Sequence, residues 1–196
     1  MMKKLLFLLF AFSLAFAVPK EQIKTQLNDD LSAAMQVLKE QKSVDEKSKS
    51  LFAIFDKYFD YELMSKLSLG GIYKGLNGNE QKEFIKVFTQ RLKFSFSEKL
   101  SLYTNQTVSI VGDENPNPKR YFVNSEIKNS NGEVFKFVFK FHQKSPNDYY
   151  IYDVDILGVS VIATYRAQFE DLKNADFNEI LKRLNAKNAL DEKNKS

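Results

Sequence analysis

Apolar residues fall three or four apart through the first hundred positions of the chain and two apart through the next fifty. Between Pro19 and Lys42, Ile23, Leu27, Leu31, Met35 and Leu38 recur with polar residues between them, the spacing of a helix with one wet face. Ser43-Val-Asp-Glu46 has the form of a capping box and opens a second helix carrying Leu51, Phe52, Phe55, Tyr58 and Phe59. Asp60 caps a third, Tyr61 to Leu69, which Gly70-Gly71 stops. Asn77-Gly-Asn-Glu80 starts the longest periodic segment. There Phe84, Phe88, Leu92, Phe96 and Leu100 share one helical face and Tyr103 follows.

From Thr107 the period becomes two. Val108 and Ile110, then Tyr121, Val123, Ser125 and Ile127, then Phe135, Phe137, Phe139 and Phe141, then Tyr150, Tyr152, Val154 and Ile156 predict four strands. Asn115-Pro-Asn-Pro118, Asn129-Ser-Asn-Gly132 and Ser145-Pro-Asn-Asp148 supply turns, so neighbouring strands pair antiparallel. Gly158 ends the sheet, Val159 to Lys173 returns to helix, and Asp176-Phe-Asn-Glu179 caps a last short helix with Ile180, Leu181 and Leu184. The architecture predicted is α+β, a four-stranded antiparallel meander packed on N-terminal and C-terminal helices. The phenylalanines face the helices, because the other side of their strand carries Val134, Lys136, Val138, Lys140 and His142.

Composition narrows the function. Cysteine is absent from the 196 residues, which excludes thiol catalysis, disulfides and cysteine-ligated metals. The opening Met1-Met-Lys-Lys, an apolar run from Leu5 to Phe16 and Ala15-Phe-Ala17 predict a signal peptide over 1–17, cleaved after Ala17. The run is shorter than the roughly 20 residues of a spanning helix. The mature chain is expected to be exported to the periplasm, as one domain over 18–188 with a polar tail over 189–196. Without Lys3 and Lys4, 27 basic residues stand against 25 acidic ones, a net charge of +2. That interspersed balance is not the basic stripe of a nucleic-acid binder.

Candidates for chemistry are few. His142 is the sole histidine, and no serine stands in a G-x-S-x-G elbow. Asp153 and Asp155 share a strand face, as a carboxylate pair for acid–base or metal work would, but no further ligands cluster beside them in sequence. None of the seven glycines forms a phosphate loop. No cofactor and no metal is expected, and the chain reads as a non-enzyme.

Two stretches resemble a known family. Phe59-Asp-Tyr-Glu-Leu-Met-Ser-Lys-Leu-Ser-Leu-Gly70 with Glu80-Gln81, Phe84, Phe88 and Leu92 is similar to the N-terminal part of the periplasmic phospholipid-binding MlaC (toluene-tolerance) family. Tyr152-Asp-Val154, Gly158-Val-Ser160 and Tyr165-Arg-Ala-Gln-Phe169 resemble its C-terminal motif. One departure is Tyr73, in a region where the family often carries tryptophan. The resemblance implies a carrier that holds a glycerophospholipid by its acyl chains. It would exchange lipid between an outer-membrane lipoprotein complex and an inner-membrane ABC transporter with an MCE-domain ring, maintaining outer-membrane lipid asymmetry.

Such a carrier needs an apolar cavity between sheet and helices. Phe137, Phe139, Tyr152 and Val154 are expected to line one wall and Phe88, Leu92 and Phe96 a second, with Phe55, Phe59, Leu63 and Ile162 completing it. Whether Tyr152 and Val154 share the phenylalanine face depends on strand register. Arg166 is the cation for a lipid phosphate, or for a salt bridge with Asp153. Lys82, Lys86 and Lys93 are candidates for partner docking. Two rivals remain: an NTF2-like enzyme using Tyr150 or Tyr152 on a small apolar substrate, and a structural periplasmic adaptor whose aromatics are all core.

Overall fold

The computed structural model describes residues 18–100 and 105–193, so the expected leader over 1–17 lies outside the described residues. Helices α1 (Lys20–Lys39), α2 (Val44–Phe55), α3 (Tyr61–Leu69) and α4 (Gly78–Leu100) precede strands β1 (Thr107–Asn117), β2 (Arg120–Lys128), β3 (Val134–Ser145), β4 (Asp148–Ile156) and β5 (Val159–Ser160). Helices α5 (Val161–Gln168) and α6 (Phe177–Lys193) follow. The α+β class stands, and all neighbouring strands pair antiparallel in the order β1-β2-β3-β4-β5. The expected four strands become five, because Val159 and Ser160 fold back on Ile156 and Asp155 before α5 begins. The last helix is longer than predicted and takes in part of the expected tail, as far as Lys193; residues 194–196 lie outside the described residues.

The starts of α2, α3, α4 and α6 carry the predicted caps, whereas α5 starts on Ser160. Ser43 and Glu46 form a reciprocal capping box on α2, and Asn77 and Glu80 do the same for α4, with Asn77 Oδ1 accepting from the Glu80 amide at 3.1 Å. Asp60 Oδ1 accepts the Leu63 amide of α3 at 3.0 Å. The second helix is shorter than its apolar pattern. It ends at Phe55, a 3₁₀ turn follows over Asp56–Tyr58, and Phe59 is extended. That extension lets Phe59 bridge to Ile151 and the Asp60 amide donate to the Ile151 carbonyl at 2.9 Å.

Two large apolar clusters and a smaller third one, Ala34, Leu38 and Leu51 with Phe55 and Leu100 against them, form the interior. In the first, Ile23, Leu27 and Leu31 of α1 lie with Tyr121, Val123, Phe139, Phe141, Ile151 and Val154 of the sheet. An ion pair from Lys24 to Asp113 at 2.7 Å pins the helix to β1. In the second, Phe84, Phe88 and Leu92 of α4 pack with Met64, Ile162, Tyr165, Phe169 and Ile180. Phe59 and Val161 touch both large clusters.

Phe141 has no exposed surface, whereas Phe135 is 40% exposed. Phe141→Ala is expected to cost about 3–5 kcal/mol and Phe135→Ala about 1 kcal/mol or less. Urea unfolding of both variants checks the contrast.

Candidate functional site

The inner face of the sheet is covered at one end and open at the other. Along β3, Phe141 is sealed, Phe139 is 9% exposed, Phe137 is half-buried, and Phe135 is exposed. The α4 stripe grades the same way: Phe84, Phe88 and Leu92 are buried, Phe96 and Leu100 half-buried. Seven positions after Leu100, Thr107 pairs with Lys128, whose other neighbour is Val134. A connection of that length keeps the end of α4 within roughly 25 Å of this end of the sheet, and Leu100 itself packs against Ala34, Leu38 and Leu51 of α1 and α2. Val108 and Ile110 of β1 and Ile127 of β2 are half-buried there, and Ile156 of β4 is 45% exposed.

The twelve expected lining residues do not form one group. Phe55, Phe137, Phe139 and Val154 belong to the sheet cluster, and Phe88, Leu92, Phe96 and Ile162 to the helix cluster. Phe59 joins the two, and Leu63 is half-buried in neither. Phe137 and Phe139 pack edge to face, with ring centroids 5.1 Å apart.

Tyr152 corrects the expectation for β4. Lys140 pairs with Asp153 and Phe141 with Ile151, so Tyr152 is the extra residue of a bulge. Val154 and Ile156 therefore face inward with Phe139 and Phe137, as Ile151 does with Phe141. Tyr152 turns outward, 4.6 Å from the Arg120 guanidinium and 5.9 Å from the His142 ring. Tyr150, the other candidate of the enzyme reading, lies under the Lys144 ammonium at 5.5 Å.

Arg166 also leaves the expected wall. Its Nε donates to the Leu67 carbonyl at 2.9 Å, near the end of α3, where a cation meets the negative end of the helix dipole. The expected salt bridge to Asp153 is not made. Ile162 and Tyr165 of α5 face the helix cluster. Ala163, Arg166 and Ala167 instead border a groove of about 720 Å³, floored by Leu69, Phe169 and Ile180. Arg166 is the only one of the twelve residues on that groove.

The paired aspartates have structural work. Lys140 Nζ lies 3.2 Å from Asp153 Oδ2 and 2.5 Å from Asp155 Oδ1. Burial opposes its charge, but the two carboxylates outweigh burial and raise the Lys140 pKa. Asp153 accepts from the Ser160 hydroxyl at 2.7 Å and the Ile162 amide at 3.1 Å, fastening the start of α5 to β4. Lys93 is likewise engaged, 2.5 Å from Asp56 and over the rings of Phe52 and Tyr61, whereas Lys82 and Lys86 are exposed. Among the described residues, no helix is long and apolar enough to cross a membrane.

The sequence matches the model of the MlaC protein family over residues 25–186, most of its length. The chain belongs to the MlaC family. No curated protein matches it. A solved structure of similar fold is that of a phospholipid-binding protein from Ralstonia solanacearum in complex with a phospholipid. It is 22% identical, with a TM-score of 0.71 over 89% of this chain and 98% of that one. Tyr73 is buried, with the Lys66 ammonium 5.8 Å from its ring.

This MlaC-family chain also holds a pairing that sequence reasoning missed. His142 Nε2 lies 3.0 Å from Asp60 Oδ2, and Lys144 Nζ lies 3.1 Å from the same oxygen. The two partners are 82 positions apart and both buried, and only the acid three residues before Leu63 gave a signal, as a helix cap. Burial pushes the Asp60 carboxyl upward in pKa. The hydrogen bonds from His142 and the Leu63 amide, with Lys144, outweigh burial and hold it well below its ordinary value of 3.8. A depressed folded-state pKa contributes stability above the unfolded value, and that stability is lost as pH falls through the folded one. Asp60→Asn is therefore expected to be less stable than the native chain near neutral pH. The gap narrows as pH drops below about 4, which urea midpoints across pH check.

Proposed function

We infer that this protein is a phospholipid carrier whose acyl-chain site is the space between the sheet and α4, opening at the end marked by Phe135 and Ile156. The single observation that carries this reading is the gradient of burial along each apolar wall: Phe141 to Phe135 on β3 and Phe84 to Phe96 on α4 both lose cover progressively. Phe137, Phe139 and Val154 form one wall; Phe96, with Leu92 deeper, forms the other; Phe59 stands where they meet. Family membership and the lipid held by the Ralstonia protein of similar fold support the same assignment.

The energetics favour such a design. At about 0.8 kcal/mol per methylene, a chain of roughly 16 carbons gains on the order of 12 kcal/mol on leaving water, before ordering costs. A dry apolar lining supplies that without specific hydrogen bonds, and the head group stays at the wet mouth. With lipid chains rather than a reacting centre in the hollow, the protein carries and does not convert its ligand. Within the family's system it acts in the periplasm, between an outer-membrane lipoprotein complex and an inner-membrane transporter with an MCE-domain ring.

Native mass spectrometry of the mature protein purified from a bacterial host is expected to show a phospholipid adduct released by organic solvent. A mass that stays bare after incubation with vesicles sinks the reading and points to a structural adaptor. Phe137→Lys is expected to lower the lipid-bound fraction several-fold, with a smaller loss of urea stability than Phe141→Ala. Equal losses of binding and folding count against a lining role.

A further inference from the structure

Seven large apolar side chains are exposed among the described residues, and five of them, Val134, Phe135, Ile156, Leu157 and Val159, gather at one corner of the sheet. Ile156 pairs with Val159, Phe137 pairs with Ile156, and the Leu157 amide donates to the Lys136 carbonyl at 2.8 Å, so Phe135, Ile156, Leu157 and Val159 are neighbours, with Val134 on the opposite face of β3. The corner surrounds the open end of the acyl-chain site.

Leu157 is the residue least explained by the fold. It forms a two-residue loop with Gly158, and both have positive φ, 54° and 81°. A loop of this kind favours Asn-Gly, because asparagine tolerates the left-handed region and leucine does not. Leu157 is nevertheless 61% exposed, and Val159 beside it 62%. Neither turn chemistry nor burial accounts for an aliphatic side chain held there. Strain of this sort marks a position whose side chain serves something outside the fold.

We propose that this corner is a membrane-docking edge, inserting Leu157, Val159 and Phe135 among the acyl chains of a phospholipid layer so that the mouth of the site opens directly onto it. This rests on the carrier reading above. The composition of the edge selects the occupant. Protein–protein hot spots are built on Trp, Tyr and Arg, with Leu and Val under-represented. This edge has aliphatic residues and one phenylalanine, flanked by the exposed Lys128 and Lys136, the pattern of a surface lying in a lipid interface. The acids nearby are spoken for or set back. Glu133 is held by Asn129 at 2.6 Å, and Glu126 faces Lys136 across the strands on the outer face, which they share with Lys128. A lipid leaving the site passes from one apolar medium to another without crossing water.

The test uses the mature protein and vesicles of phosphatidylethanolamine with phosphatidylglycerol. The native chain is expected to float with the vesicles and to take up a fluorescent phospholipid from them. The double variant Leu157→Ser with Val159→Ser is expected to do both about tenfold less, while its lipid adduct after purification is unchanged. Val111→Ser, which removes an exposed valine away from this corner, is expected to float as the native chain does. A native protein that bears its lipid adduct yet neither floats nor exchanges with vesicles overturns the docking edge and leaves the carrier reading standing. Exchange that occurs only when a partner protein is added overturns it too, and makes the edge a protein contact. A bare protein that floats supports the edge and removes the carrier reading.

Discussion

Covering one face of a five-stranded antiparallel sheet is the task on which the rest of this fold depends. The sheet has more apolar surface on its inner side than α1 can shield. Ile23, Leu27 and Leu31 seal the part around Tyr121, Phe141 and Ile151, and there the packing is complete. Farther along β3 and β4 the cover thins. The helices that would close it are occupied elsewhere: α4 spends Phe84, Phe88 and Leu92 on a second cluster with α3, α5 and α6. The two large clusters share Phe59 and Val161, and Phe55 links the sheet cluster to the small one between α1 and α2.

That arrangement needs the two halves held at a fixed separation, and buried carboxylates do this. Asp60 caps α3 and reaches His142 on β3, while Asp153 of β4 receives the Ile162 amide and the capping Ser160 hydroxyl of α5. Both tie a helix of the second cluster to a strand of the first through charge-assisted hydrogen bonds, which are stronger and more directional than apolar contact. The polar residues of the outer sheet face thus serve the spacing of the apolar ones inside. His142 and the aspartate pair attract notice as chemistry, and their partners give them this mechanical task instead.

How legible this was in the sequence depends on range. Periods of four and two in the apolar residues located α1, α3, α4 and four of the strands, and the caps Ser43, Asp60, Asn77 and Asp176 marked the helix starts, because these signals lie within one element. The alternation of β3 told which of its faces is inward. Whatever depends on two elements was out of reach. Tyr152 was misplaced because a bulge shifts register by one and no local residue type announces it. Arg166 has several chemically equivalent uses, and the Leu67 carbonyl, 99 positions away, took it. The apolar residues were recognisable by their period, yet their division into separate clusters follows from tertiary packing that periodicity does not encode.

The bulge on β4 lets a single strand serve two phases. Below it Val154 and Ile156 point inward; above it Ile151 and Tyr149 do, although a regular strand would have turned that second pair to solvent. Tyr152 is thus a spacer whose presence matters more than its ring. Any residue there preserves the phase of both halves, whereas deleting the position would rotate one half of the strand outward. It would also carry Asp153 away from the head of α5. In this stretch of the chain, length is constrained more tightly than composition.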